Sequence, residues 1–166
     1  SRIVLEYSSI VRFLFMASQN SLDKTYIQMA KCWSQLSHAK RKKVGCLIVK
    51  DGAIISDGYN GTPSGFDNIC EYNSFTLTDN GNTVKEKIIT KPEVLHAESN
   101  AISKLAKSTQ SSNGATLYVT CSPCLDCSKL IIQAGIIRVV YSEQYRIDDG
   151  LKLLKKADIE LKYLCE

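Results

Sequence analysis

Between residues 21 and 164 the apolar positions fall into blocks whose period switches between helical and strand-like. Leu22, Tyr26, Met29, Ala30, Trp33 and Leu36 recur at helical spacing, which predicts a helix over residues 21–37 with Ser21 as N-cap and Trp33 in the core. Two strand-like runs follow, 44–50 and 53–57, joined by Asp51-Gly52, a pair suited to the positive-φ positions of a tight hairpin. Helical spacing returns after His96 through Ala101, Ile102, Leu105 and Ala106, and Ser111-Ser112-Asn113-Gly114 breaks it. Residues 115–120 read as a strand. A helix then begins near Cys124, with Leu130, Ile131 and Ala134 on its apolar face and Gly135 as C-terminal cap. Residues 138–142 read as a strand, 148–157 as a helix and 159–164 as a last alternating strand. Strand-helix alternation in this half predicts parallel strands with right-handed crossovers, and the hairpin adds an antiparallel pair. The expected fold class is α/β, with a mixed five-stranded sheet covered by helices.

Four stretches escape this periodicity. Lys40, Arg41, Lys42 and Lys43 form a basic run. Most such runs are solvated loops, and that reading is adopted for the bulk of this one over an anion-facing loop suited to phosphate. Residues 58–65 hold three glycines and a proline, which fits either backbone N–H groups brought close to a ligand or an ordinary turn. Residues 67–91 are polar and aperiodic apart from short runs such as 84–89, and contain Asn80-Gly81. They read as an insertion that covers a site or is plain surface. At the start, Ile3, Val4, Leu5, Ile10, Val11, Phe13, Leu14 and Phe15 are interrupted by Arg2, Glu6 and Arg12, too short and too charged a run to span a membrane. Residues 1–15 are therefore expected to be an extension ahead of a natural start at Met16, with 16–166 as a single domain.

Composition narrows the function. A chain of 166 residues suits one compact domain with a substantial core. The net charge of +4 suits a small anionic ligand without demanding a polynucleotide. Seven cysteines form an odd set with no regular disulfide framework, which favours a reducing, cytoplasmic setting. With two histidines in the chain, a second histidine-rich metal site is not expected.

The chemistry concentrates between His96 and Cys127. His96-Ala97-Glu98 opens one predicted helix and Pro123-Cys124-Leu125-Asp126-Cys127 opens another. A structural zinc is closed by four protein ligands, whereas a catalytic zinc keeps three and leaves the fourth position to water. His96, Cys124 and Cys127 make three, and Glu98 is placed to act on that water as general base without binding the metal. Unpaired N–H groups at a helix start also favour thiolates. Either half alone is weak, since Cys-x-x-Cys also marks redox pairs. Together they reproduce the H-x-E…P-C-x-x-C pattern of zinc nucleobase deaminases.

Further segments sharpen this. Val44-Gly45, Gly58-Tyr59-Asn60-Gly61-Thr62-Pro63-Ser64-Gly65, His96-Ala97-Glu98-Ser99-Asn100-Ala101-Ile102, Ser122-Pro123-Cys124-Leu125-Asp126-Cys127 and Gln133-Ala134-Gly135-Ile136 resemble the deoxycytidylate (dCMP) deaminases of the cytidine deaminase superfamily, most of all bacteriophage and viral members. The resemblance covers residues 44 to 145, and the Gly-Tyr-Asn-Gly-x-Pro-x-Gly segment narrows it within the superfamily. It implies a three-layer αβα sandwich and hydrolysis of dCMP to dUMP and ammonia, supplying dUMP for dTTP synthesis. It also implies one Zn2+ per subunit, Asn60 on the sugar 3′-hydroxyl, backbone around Ala97 and Ser122 on the base, and Tyr145 near the phosphate. Arg146 is added as a phosphate partner from its place beside Tyr145. Members of the family are commonly homohexamers, activated by dCTP and inhibited by dTTP with Mg2+ at a site that includes Gly58, Tyr59, Asn60 and Gly61. No membrane or nucleic-acid partner is expected. Two rival functions are a tRNA or single-stranded DNA deaminase, disfavoured by the short basic run, and a non-catalytic zinc-stabilised binding module, disfavoured by Glu98.

Overall fold

A computed structural model describes residues 18–77 and 84–165. The expected extension before Met16 and the Asn80-Gly81 pair lie outside the described residues. The chain runs α1 (Gln19–Ser34), β1 (Gly45–Lys50), β2 (Ala53–Tyr59), β3 (Glu71–Leu77), β4 (Val84–Thr90), α2 (Ala97–Leu105), β5 (Thr116–Cys121), α3 (Leu125–Gln133), β6 (Arg138–Glu143), α4 (Asp149–Lys156) and β7 (Glu160–Tyr163). The main sheet has the order β2-β1-β5-β6-β7. Its first two seams are antiparallel and its last two parallel. The expected mixed five-stranded sheet is present, and the β1–β2 hairpin turns at Asp51 and Gly52 with φ of 51° and 78°.

Successive strand residues point to opposite faces, and they divide the core in two. Leu47, Val49, Tyr118 and Val140 face α1, which contributes Ile27 and Ala30. Cys46, Ile48, Leu117, Val119 and Val139 belong to the other slab, together with Ala101 and Leu105 of α2, Ile131 of α3, and Leu151 and Leu154 of α4. One helix on one face and three on the other make the three-layer αβα sandwich. α1 crosses β1 so closely that a Cβ at Gly45 would stand 1.9 Å from the Ala30 carbonyl oxygen.

A buried ionic cluster sits in the α1 layer, and the periodicity gave no sign of it. Asp23 is fully buried. Its carboxylate accepts two hydrogen bonds from the Arg138 guanidinium, one from Lys162 Nζ and one from the Tyr118 hydroxyl, all at 2.8 Å. Burial works to raise its pKa, but the bonds from Arg138 and Lys162 prevail and hold the carboxyl well below the usual range. The cluster ties α1 to β5, β6 and β7.

Three expectations need correction. α1 starts at Gln19 because the Ser18 hydroxyl, not that of Ser21, caps it by accepting from the Ser21 N–H. Trp33 is not core. It is 38 % exposed and lies with Met29 on the open side of α1, Leu36 being exposed just past the helix end, and its indole N–H donates to Asp57. Residues 67–91, expected to be aperiodic apart from short runs such as 84–89, carry a separate hairpin, β3–β4, paired from Glu71↔Thr90 to Leu77↔Val84. Tyr72, Phe75 and Ile88 remain exposed on it, so neither face imposes the apolar-polar alternation by which a half-buried strand is recognised. Among the described residues no helix is long and apolar enough to cross a membrane.

Candidate active site

Both ligand motifs lie where a helix begins. His96 is the N-cap of α2 and Cys124 the N-cap of α3. Neither spends its side chain on the cap. Cys127 is the third residue of α3. His96 Nδ1 lies 3.4 Å from Cys124 Sγ and 3.5 Å from Cys127 Sγ, and all three donor atoms fall within 4.8 Å of one another. A tetrahedral zinc with bonds of about 2.0–2.3 Å spaces its ligands roughly 3.5 Å apart, so the donor set fits zinc both in chemistry and in separation.

Two glycines on neighbouring elements brace these motifs. A Cβ at Gly58, in β2, would stand 2.1 Å from the Ala97 carbonyl oxygen. One at Gly150, in the first turn of α4, would stand 2.2 Å from the Pro123 carbonyl oxygen and 2.8 Å from the Cys124 carbonyl carbon. Gly58, expected in a glycine-rich loop, lies within β2, which runs on to Tyr59. Gly150 was missed, since a glycine early in a helix carries no sequence signal of what it touches.

The electrostatics follow from burial and from the mutual contact of the donors. Glu98 is 4 % exposed, and burial pushes its carboxyl up to about 7. Cys124 is drawn down to about 4, chiefly by its hydrogen bond with Cys127 and then by His96. That bond, reinforced by burial, pushes the Cys127 thiol up. Metal binding needs both thiols deprotonated.

The cluster opens into a pocket of about 400 Å3. Asn60, Ala97, Ser122, Tyr145 and Arg146, expected from the sequence to meet substrate, all line it. Gly58, Tyr59 and Gly61 are not among its lining. The Asn60 carboxamide is partly engaged: Oδ1 accepts from the Val44 N–H and Nδ2 donates to the Lys42 carbonyl, both at 2.8 Å. Each atom retains capacity for a second bond. Ser122 Oγ accepts from the Tyr145 N–H at 2.7 Å, which fixes the loop carrying Tyr145 and Arg146. The Arg146 guanidinium lies 6.0 Å from the Tyr145 ring centroid.

The basic run divides. Lys40 and Lys43 fit the solvated reading, whereas Arg41 and Lys42 line the pocket, because Lys42 reaches Glu143 Oε2 at 2.8 Å and Cys121 Sγ at 3.2 Å at the ends of the central strands.

A three-donor zinc site with a buried carboxylate that is not a ligand is the mark of the zinc-dependent nucleobase deaminases. The chain belongs to the cytidine and deoxycytidylate deaminase family, whose zinc-binding region it matches over residues 20–143. It is 40% identical over 149 residues to the deoxycytidylate deaminase of Enterobacteria phage T4, covering 73% of this chain and 77% of that one. To the deoxycytidylate deaminase of Saccharomyces cerevisiae it is 36% identical over 143 residues, 86% of this chain but 44% of the yeast protein, so it spans less than half of that relative. Among solved structures, the dCMP deaminase of cyanophage S-TIM5 in complex with dCMP and dUMP superposes with a TM-score of 0.77 at 42% identity, covering 89% of this chain and 100% of the other.

Proposed function

We propose that the chain deaminates dCMP to dUMP and ammonia. The observation that carries this reading is that one pocket of about 400 Å3 is lined by two of the three metal donors, His96 and Cys124, by Glu98, and by three cationic side chains, Arg41, Lys42 and Arg146. A free base would need the first set alone, and a nucleoside monophosphate uses both. The relatives named above act as support.

His96, Cys124 and Cys127 would hold a zinc ion, which would supply a water acidic enough to lose a proton near neutral pH. Glu98 would take a proton from that water and deliver it to N3 of cytosine as the water oxygen bonds to C4, then take the remaining proton from the new C4 hydroxyl and pass it to the amine as the C4–N bond breaks, leaving uracil and ammonia. Its raised pKa suits a group that must both accept and release a proton near neutral pH. The spare capacity of Asn60 takes the sugar 3′-hydroxyl. The backbone at Ala97 and Ser122 takes the base. The Ser122 N–H is already bonded to the Glu143 carbonyl at 2.8 Å, so contact there falls to the Ser122 carbonyl. Tyr145, Arg146 and Arg41 take the phosphate.

The family resemblance extends the proposal to regulation by dCTP and by dTTP with Mg2+ near Gly58, Tyr59, Asn60 and Gly61, to a homohexamer, and to a place in the cytoplasm supplying dUMP for dTTP synthesis. Space at Gly61 suits a ligand, since the nearest neighbour to an added Cβ is the Tyr59 ring at 3.9 Å. The exposed Met29, Trp33 and Leu36 suit a subunit contact, and the unbridged Cys46, Cys121, Cys124 and Cys127 suit a reducing compartment. The test is ammonia release from dCMP, CMP, deoxycytidine and a cytosine oligonucleotide, with and without dCTP or dTTP. Turnover of the oligonucleotide with none of dCMP would overturn the reading.

A further inference from the structure

The β3–β4 insertion meets the pocket at its base. Glu71 opens β3 and Thr90 closes β4, directly opposite in the register, and both line the pocket. The Glu71 residue is 8 % exposed. Its two carboxylate oxygens accept from the Lys40 N–H at 3.0 and 3.1 Å, and Oε1 also accepts from the Arg41 N–H at 3.2 Å. Thr90 Oγ1 accepts from Arg41 Nη1 at 3.0 Å. From the opposite side, Asn60 holds the same turn at the Lys42 carbonyl and the Val44 N–H.

A solvated surface loop needs no such anchorage. A buried carboxylate is costly unless its lone pairs are filled, and here backbone N–H groups of the basic run fill them. The negative charge also offsets the mutual repulsion of four adjacent cations. Glu71 thus sets the path of the backbone, and Thr90 sets the direction of one guanidinium.

We propose that Glu71 and Thr90 are positioning residues that hold the 40–43 turn so that Arg41 faces the anionic end of the substrate, which makes the insertion a wall of the active site. This deepens the monophosphate reading and rests on it. Neither residue touches the reacting atoms, so both act on substrate binding through Arg41.

The experiment is steady-state kinetics on dCMP for the zinc-loaded enzyme and its Glu71→Ala, Glu71→Gln, Thr90→Val, Arg41→Gln and Glu71→Ala/Arg41→Gln variants, with zinc content measured for each. Loss of hydrogen bonds around a charged group predicts a rise in KM of roughly tenfold for Glu71→Ala. Glu71→Gln, which keeps one acceptor oxygen, should lie between it and the parent, and Thr90→Val should rise severalfold. kcat should stay within about twofold and zinc at one per chain, and the double variant should be no worse than Arg41→Gln alone. A fall in kcat with KM unmoved, zinc loss in step with activity, or additive effects in the double variant would overturn the proposal. Should Glu71→Ala fail to fold, Thr90→Val decides by the same criteria. A parent enzyme inactive on dCMP sinks the monophosphate reading and this inference with it. A parent active on dCMP with unmoved variants sinks this inference alone.

Discussion

The zinc turn has no slack on the side of α4, and Gly150→Ala measures this. The new methyl carbon would sit 2.2 Å from the Pro123 carbonyl oxygen, 2.8 Å from the Cys124 carbonyl carbon and 2.8 Å from Ser128 Oγ. Ordinary contact requires that about 1 Å be found. The turn is held by the Ser122 N–H on the Glu143 carbonyl at 2.8 Å and by the Ser128 N–H and hydroxyl on the Cys124 carbonyl, both at 2.9 Å. α4 is held by Leu151 and Leu154 in the core. Neither side is free, so the displacement is shared and part of it reaches Cys124. Overpacking of this kind costs about 1–3 kcal/mol of stability, and a 1 Å misplacement of catalytic groups costs on the order of 100-fold in rate. With the shift divided, kcat/KM on dCMP should fall roughly 10- to 100-fold, and zinc should transfer faster to a colorimetric chelator. Asp149→Ala, an exposed neighbour on the same helix, should do neither. A Gly150→Ala enzyme with parental turnover and parental zinc release would refute the reasoning.

Other substitutions probe separate parts of the structure. Glu98→Gln should keep one zinc per chain and lower kcat about 10²- to 10⁴-fold; turnover at the parental rate would remove Glu98 from its role. Cys127→Ala takes away a buried donor, so the purified protein should lack stoichiometric zinc and activity, and added zinc should restore neither. Chelation of the unaltered enzyme should be reversed by zinc. Asp23→Ala strands Arg138 and Lys162 beside a buried gap and should cost about 3–5 kcal/mol by urea unfolding. Because the Asp23 carboxyl is held below its unfolded value, its contribution is present above a pH of about 4 and fades as pH falls further. Parent and variant stabilities should therefore converge in acid, and curves that stay parallel would dismiss the pairing.

What the sequence made legible is what short range determines. The zinc donors could be read because each sits in a motif of a few residues at a helix start, and the fold because strand and helix periods are local. The contacts that escaped reading join distant positions. Asp23 meets Lys162 across 139 residues of chain, and neither residue type announces a buried partner. Glu71 meets Lys40 across 31 residues, and a glutamate in a polar stretch looks like any solvated carboxylate. Gly150 against Pro123 belongs to the same class. The basic run shows the consequence most plainly: as a string it is four like charges, and the structure divides it by what each residue can reach, Lys42 through Glu143 and Arg41 through Thr90. Donor chemistry is thus written in local motifs. Which ligand that chemistry acts on depends on how remote segments close around it, and here the least periodic stretch of the chain supplies one of those walls.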